Sequence, residues 1–428
     1  MVEKVLKILE EEIVAAEGCT EPIAIAYLAS KCASVIGGIP EKLELELSGN
    51  IIKNVQSVKI PNSGGMVGIE AAAALGMILG DCSKELMVIS SVNEHKLPIV
   101  QKYLDEDRIS IKKIQHGIAK LHLRATAYLG NDKVLVEIKH YHTNIVKIEK
   151  NSKPVPNALM CDAMGASDTM TNTDFLTVGL IYDLAKSIEL EKIAPLFEKV
   201  ISYNSAIANE GLKNTYGAAI GKTLALGMKE GVYGSDLKNK IMSFTSAGSD
   251  ARMNGCSLPV MTTSGSGNQG MTASLPIIKY CEEKNISHEK LIRALFLSHL
   301  TTVHIKSNIG RLSAYCGVVC SGGGVAAALA FLDDLPIEQI ETAIETTLAT
   351  LSGMICDGAK SSCAAKISAS AAMAFDAYYM SKKHTNFKQG EGIVGKNVEG
   401  TLKNINVLAH KGLEETDEVI LDVILKNK

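Results

Sequence analysis

The run Ser313-Ala-Tyr-Cys316-Gly-Val-Val-Cys320-Ser-Gly-Gly-Gly-Val-Ala restricts what this chain can become more than any other stretch. It carries no charge and a single aromatic ring, and glycine replaces side chain at Gly317 and again at Gly322, Gly323 and Gly324. A segment built this way offers nearly bare backbone, so whatever packs on it must come close to exclude water. It is answered later in the chain by Met354-Ile-Cys356-Asp-Gly-Ala-Lys-Ser-Ser-Cys363-Ala-Ala-Lys. Thiols set among small residues have two readings. Three thiolates converging on one point hold an iron–sulfur cluster. Free cysteine is also among the most buried residue types, and small apolar residues in Ala-rich helices fit the same letters.

The rest of the composition favours closely crossing helices: 36 Gly and no Trp, with only 7 Phe among 428 residues. At 46% hydrophobic, the chain can bury one large core or build two to three domains. A net charge of −3, with both signs mixed throughout, excludes an electrostatic nucleic-acid binder. The first residues, Met-Val-Glu-Lys-Val-Leu-Lys-Ile-Leu-Glu-Glu-Glu, are acidic with helical period, unlike a signal peptide. Val318 to Leu332, the longest weakly polar run, is too short to span a bilayer. The expectation is therefore a cytoplasmic chain with no membrane partner. Ten cysteines in that setting are ligands, nucleophiles or buried hydrophobes rather than a disulfide framework. A homo-oligomer is left open.

Along the chain, Val2, Val5, Leu6, Leu9 and Ile13 recur at helical spacing. That helix runs into Glu17-Gly18-Cys19-Thr20-Glu21-Pro22, where Gly18 suits a helix end and Pro22 the first turn of the next helix. Cys19 then lies near the positive end of the second helix, a position that lowers a thiol pKa; a buried cysteine in a turn fits the same residues. From Lys42 to Lys59 the pattern alternates as in strands, and Ile60-Pro-Asn62-Ser63-Gly-Gly65 breaks the chain before a helix over 67–79. A glycine-rich turn opening a helix can cradle an anion, though most such turns are only turns. Segments 86–91, 96–104, 109–115, 119–128 and 133–142 read as short strands with one helix. His140-Tyr-His142 sets two imidazoles on one strand face; a metal pair would need a third ligand that is not visible nearby, and a solvated strand face fits better. Asn151-Ser-Lys-Pro-Val-Pro-Asn157 reads as a linker. Beyond Thr173 the periodicity is overwhelmingly helical, with short Gly- and Ser-bearing loops. The fold class expected is α+β: N-terminal helices with a small antiparallel sheet over 1–150, then a large, mostly helical domain over 151–428.

Ser264-Gly-Ser-Gly-Asn268-Gln269-Gly270 has the letters of a dinucleotide fingerprint but not the alternating β and α surroundings that fingerprint needs. A cradle for a substrate carboxylate or phosphate fits it better. The helical second half lacks the parallel sheet of pyridoxal phosphate enzymes, and structural zinc would need closely paired cysteines that are missing.

Taken together, Gly18-Cys-Thr-Glu-Pro22, Met253-Asn-Gly-Cys-Ser-Leu-Pro-Val-Met261, Gly265-Ser-Gly-Asn-Gln-Gly270, Gly310-Arg-Leu-Ser-Ala-Tyr-Cys-Gly317 and Cys356-Asp-Gly-Ala-Lys-Ser-Ser-Cys363 resemble the iron–sulfur L-cysteine desulfidases, relatives of the bacterial iron–sulfur L-serine dehydratases. The resemblance extends over nearly the whole chain. It implies a [4Fe–4S] cluster in the helical domain, held by Cys316, Cys356 and Cys363 with one iron open. Cys320, one helical turn from Cys316, is the alternative third ligand; Cys316 is preferred because it directly precedes Gly317, as in the family pattern. It implies Cys19 as the catalytic base and L-cysteine as the small-molecule substrate, eliminated to pyruvate, ammonia and sulfide in an oxygen-sensitive reaction. An L-serine dehydratase, or a non-catalytic cluster or sulfur-carrier protein, remains the alternative. Candidates for holding the substrate are Asn62, Ser63, Asn268, Gln269, Lys306 and Arg311.

Overall fold

A computed structural model of the chain describes residues 1–115, 119–155 and 170–426. Helix α1 (Val2–Glu12) buries Val5, Ile8 and Leu9 on one face, and a two-residue strand, β1 (Ala15–Ala16), follows it. Helix α2 (Thr20–Ile36) is apolar on nearly every side and almost wholly buried; it stops at Gly37, whose φ of 91° lies in the left-handed region. Strand β2 (Lys42–Leu47) turns Leu43, Leu45 and Leu47 inward. Helices α3 (Gly49–Val55), α4 (Ile69–Leu79) and α5 (Leu97–Asp105) come next. Strands β3 (Ile109–Lys113), β4 (His122–Leu129), β5 (Asp132–Lys139), β6 (Ile145–Lys150) and β7 (Lys153–Pro154) then complete a six-stranded sheet in the order β3-β2-β4-β5-β6-β7.

Three sequence expectations need correcting in this half. The sheet is mixed rather than antiparallel: β2 and β3 run parallel while the other pairs are antiparallel. The cause is connectivity, because three helices separate β2 from β3 and a parallel pair requires such a crossover. Ile51 and Val55, read as alternating strand residues, are i and i+4 on α3 and both buried. The strand expected over 86–91 is a tight 3-10 turn (Cys82–Met87) running into further turns, opened by the Asp81 side chain accepting from the Ser83 N–H. The expected linker leaves the described residues after 155.

The second half is helical as expected. It comprises α6 (Val178–Ser187), α7 (Leu190–Lys213), α8 (Ile220–Lys229), α9 (Leu237–Met253), a short strand β8 (Val260–Met261), α10 (Gly267–Lys284), α11 (His288–Ser307), α12 (Gly317–Leu332), α13 (Ile337–Leu351), α14 (Cys363–Lys382), α15 (Val398–Val407) and α16 (Glu414–Lys426). Strand β8 pairs with β1, Ala15 opposite Met261 and Ala16 opposite Val260, and so stitches the beginning of the chain onto the helical half. No helix among the described residues is long and apolar enough to cross a membrane.

Two large apolar cores result. One joins α1 to the helices of the second half, and the other lies between α2, α4 and the sheet. A third, small cluster of Cys19, Val58 and Met253 has Ala359 and Cys363 packed against it. Helix α12 runs through the middle of the helical core. A Cβ at Gly322 would press on Ser370 of α14, one at Gly323 on Ile305 of α11, and one at Gly324 would overlap the Ser298 carbonyl of α11. The glycine run therefore lets two neighbouring helices, α11 and α14, lie close against α12. Gly324→Ala should force α11 and α12 apart and cost roughly 1–3 kcal/mol, read as a fall in Tm of the whole protein.

Candidate active site

Cys19, Cys316, Cys356 and Cys363 come from four separate stretches and line one cavity of about 90 Å³. Each is fixed by local backbone structure. Cys19 is the N-cap of α2, preceded by Gly18 (φ 50°), where a Cβ would lie 2.7 Å from the Pro61 ring. The Thr20 hydroxyl donates to the Gly265 carbonyl at 2.9 Å and ties this turn to the loop before α10. Cys316 is the N-cap of α12, and Cys363 is the first residue of α14. Cys356 lies on a short extended piece whose N–H donates to Ala314 O at 2.6 Å, while Cys316 N–H donates to Met354 O at 3.1 Å. Three of the four thiols thus sit at helix N-termini, and α10 opens on the same cavity through Ser266, Asn268 and Gln269. Converging helix N-termini make a region of positive potential suited to an anionic guest. Cys320, one turn further into α12, is fully buried and is not among the lining residues.

A helix N-terminus was expected to lower the Cys19 pKa; the structure reverses this. Burial pushes the thiol well above its usual value, and the negative charge of Glu21 adds to the effect against an opposing contribution from Arg252. The thiol donates to Glu21 Oε2 at 2.9 Å. Burial alone would raise the Glu21 carboxyl, but His142 and the Cys19 thiol outweigh it and hold it down at about 2. Glu21 also accepts from Asn54 Nδ2 at 3.1 Å, and lies 3.1 Å from the Thr20 hydroxyl oxygen and 3.8 Å from His142 Nε2. The resting arrangement is a neutral thiol against a carboxylate, with an imidazole behind. His140 and His142 do not share a strand face, because β5 ends at Lys139 and His140 turns the chain with φ 68°. His142 is buried beside Glu21 as a result.

Of the residues expected to hold a substrate, Asn268, Gln269, Lys306 and Arg311 line the cavity. Burial lowers the Lys306 ammonium below its ordinary value, and its nearest partner is the Ser313 hydroxyl at 3.4 Å. Arg311 donates to Glu12 at 2.9 Å and stacks over Tyr141. Asn62 and Ser63 are not among the lining residues. Asn62 donates to Ile89 O, and the Ser63 hydroxyl donates to Ile60 O and accepts from Met66 N–H, so this turn satisfies its own backbone. Glu21, Asn54, Arg252 and Lys366 also line the cavity and were not singled out from sequence. In the sequence Glu21 is marked only by its place in the Gly18–Pro22 motif.

The wall bearing Cys356 is held from a distance. Lys53, its side chain 1% exposed, donates to Cys356 O at 3.0 Å and to Asp417 of α16 at 2.7 Å. Gly358 (φ 95°) lets this loop approach, since a Cβ there would stand 2.5 Å from Lys53 O. Burial would raise the Asp417 carboxyl, but Lys53 overrides it and keeps it below its usual range. Asp417→Asn strands a buried ammonium and should cost about 3–5 kcal/mol, measured by denaturant unfolding.

Residues 84–422 match the family described as the serine dehydratase alpha chain. A UPF0597 protein of Fusobacterium nucleatum is 54% identical over 425 residues, covering 99% of each chain. Another from Desulfitobacterium hafniense is 45% identical over 420 residues, covering 98% of this chain and 96% of its own length. A third, from Treponema denticola, is 42% identical over 431 residues, with 99% and 98% covered. The matched segment holds Cys316, Cys356, Cys363 and both helix N-termini that carry two of them, and the turn bearing Cys19 precedes it. On that match, the chain belongs to the serine dehydratase alpha chain family.

Proposed function

We propose that the chain is a pyridoxal-independent lyase that removes the β-substituent of a small α-amino acid, with L-cysteine as substrate and a [4Fe–4S] cluster as cofactor. The observation that carries this reading is one cavity lined by Cys19 and by Cys316, Cys356 and Cys363 together. The donor set suits such a group. Three thiols from two helix starts and a loop face it, with Lys366 beside them and positive helix ends around it. Among the described residues no group of three or more His, Cys, Asp or Glu is close enough to grip a single ion. A cluster asks for a wider arrangement, because each thiolate binds a different iron.

Cys316, Cys356 and Cys363 would hold the cluster, whose fourth iron supplies Lewis acidity toward the leaving sulfur. The chain's own residues do the rest. Cys19 Sγ takes the Cα proton while its own proton passes to Glu21 Oε2, so thiol and carboxylate act as one base. His142 and Asn54 hold Glu21 in place for that transfer. Asn268 and Lys306 offer a hydrogen bond and charge where enolate character develops at the substrate carboxylate. Arg311, bound to Glu12, positions the wall beside Lys306.

The family description favours L-serine as a second reading, with a hydroxyl leaving instead of a thiol. Anaerobically reconstituted protein assayed with each amino acid separates the two. Sulfide and pyruvate from L-cysteine, in excess of pyruvate from L-serine, is the expected result. The reverse ratio assigns a dehydratase, and no product from either amino acid removes the lyase.

A further inference from the structure

We propose that the cavity is a receptor for the charged head of an α-amino acid, with its carboxylate on Arg252 and its ammonium group on the amide oxygens of Asn54 and Gln269. This deepens the lyase reading, resting on it for the identity of the ligand but not on cluster chemistry.

Arg252, near the end of α9, is 2% exposed, and its Nε and Nη2 atoms are buried without a hydrogen-bond partner among the described residues. No described carboxylate forms an ion pair with it. Asp250, two residues earlier, is turned to the Gly221 N–H of α8, from which it accepts at 2.8 Å. A guanidinium taken out of water with nothing to bind is costly, and buried charges are otherwise found paired. The cavity is where its partner belongs. The side chain is pinned, because a Cβ on Gly267 at the start of α10 would overlap Nε and the guanidinium lies over bare backbone there. A fixed planar fork is the group best shaped to grip a carboxylate through two parallel hydrogen bonds.

Two acceptors face the same space. Asn54 Oδ1 and Gln269 Oε1 are both buried and unpartnered, and both residues line the cavity. The orientation of the Asn54 amide is set by its nitrogen, which donates to Glu21 Oε1 at 3.1 Å and leaves the oxygen as the vacant acceptor. Gln269 is held against Gly317, where a Cβ would stand 2.5 Å from its Cδ. An anion-binding fork and two neutral acceptors in one small cavity complement a zwitterion. A ligand lacking either charge leaves a buried group unmatched, which a site of this kind rejects.

The test is calorimetry on the full, anaerobically reconstituted chain carrying Cys19→Ala, so that no ligand is consumed. The ligands are L-cysteine, cysteamine (no carboxylate) and 3-mercaptopropionate (no ammonium). L-Cysteine should bind at least about a hundredfold more tightly than either. Adding Arg252→Gln should erase the preference over cysteamine, and Asn54→Leu should narrow the preference over 3-mercaptopropionate. Equal affinity for cysteamine and L-cysteine overturns the proposal, as does an undiminished preference in Arg252→Gln. Loss of iron in Arg252→Gln with that preference intact also overturns it, since Arg252 would then serve the cluster. If Arg252→Gln does not fold, the three-ligand comparison on the Cys19→Ala chain decides. Arg252-dependent binding in a protein that releases neither sulfide nor pyruvate keeps this site and removes the lyase. Turnover with unchanged KM in Arg252→Gln does the opposite.

Discussion

Cys19→Ala is expected to keep its iron and acid-labile sulfide while kcat falls by about 10²–10⁴, the usual worth of a positioned base. The thiol lies in a different turn from the other three and is committed to Glu21 through a 2.9 Å hydrogen bond. Removing it leaves Cys316, Cys356 and Cys363 where they are. Glu21→Gln should give a parallel loss, because an amide cannot take the thiol's proton, and Cys19 would remain a neutral thiol under the pressure of burial. Thr20 and Asn54 keep hydrogen-bond partners in that variant, so the loss is chemical rather than architectural. Iron analysis and the visible spectrum of both variants provide the check. A Cys19→Ala protein stripped of iron would make Cys19 a ligand and end its assignment as base.

Cys316→Ala, Cys356→Ala and Cys363→Ala should each abolish the visible absorbance of the reconstituted protein together with all turnover, while Cys320→Ala retains both. The contrast follows from position on α12. Cys316 caps the helix and meets the cavity, whereas Cys320 is fully buried one turn deeper in the apolar core. Cys320→Ala still removes a buried sulfur and should lower stability modestly, which a Tm measurement distinguishes from loss of the cluster. Undiminished absorbance in Cys356→Ala or Cys363→Ala would refute the ligand set.

Much of the helical half was legible because long apolar periodicities leave few alternatives, and the glycine run on α12 announced close packing. Short elements were not. The β1–β8 pair has two residues on each side, too few to show a period, yet it brings Cys19 across the chain to α10. Ile51 and Val55 satisfy both an alternating and a helical pattern, and only their burial on α3 decides between them. Within the cavity, the cysteines stood out from sequence by type, and their roles and the Asn268-Gln269 pair followed from the family resemblance. Arg252 did not, because nothing local marks a cation that will be buried without an ion pair to any described carboxylate. Asn62 and Ser63 misled for the converse reason: a turn rich in donors and acceptors spent them on itself.

The Lys53–Asp417 pair bears on how the molecule is made. A ribosome delivers Asp417 only after every residue that lines the cavity, so a nascent chain has all four thiols in hand while Lys53 is still unmatched. The loop carrying Cys356 gains its full anchor only after Asp417 has been made. Any guest of the cavity therefore meets a fully braced wall only once α16 has been made and has folded back onto Lys53.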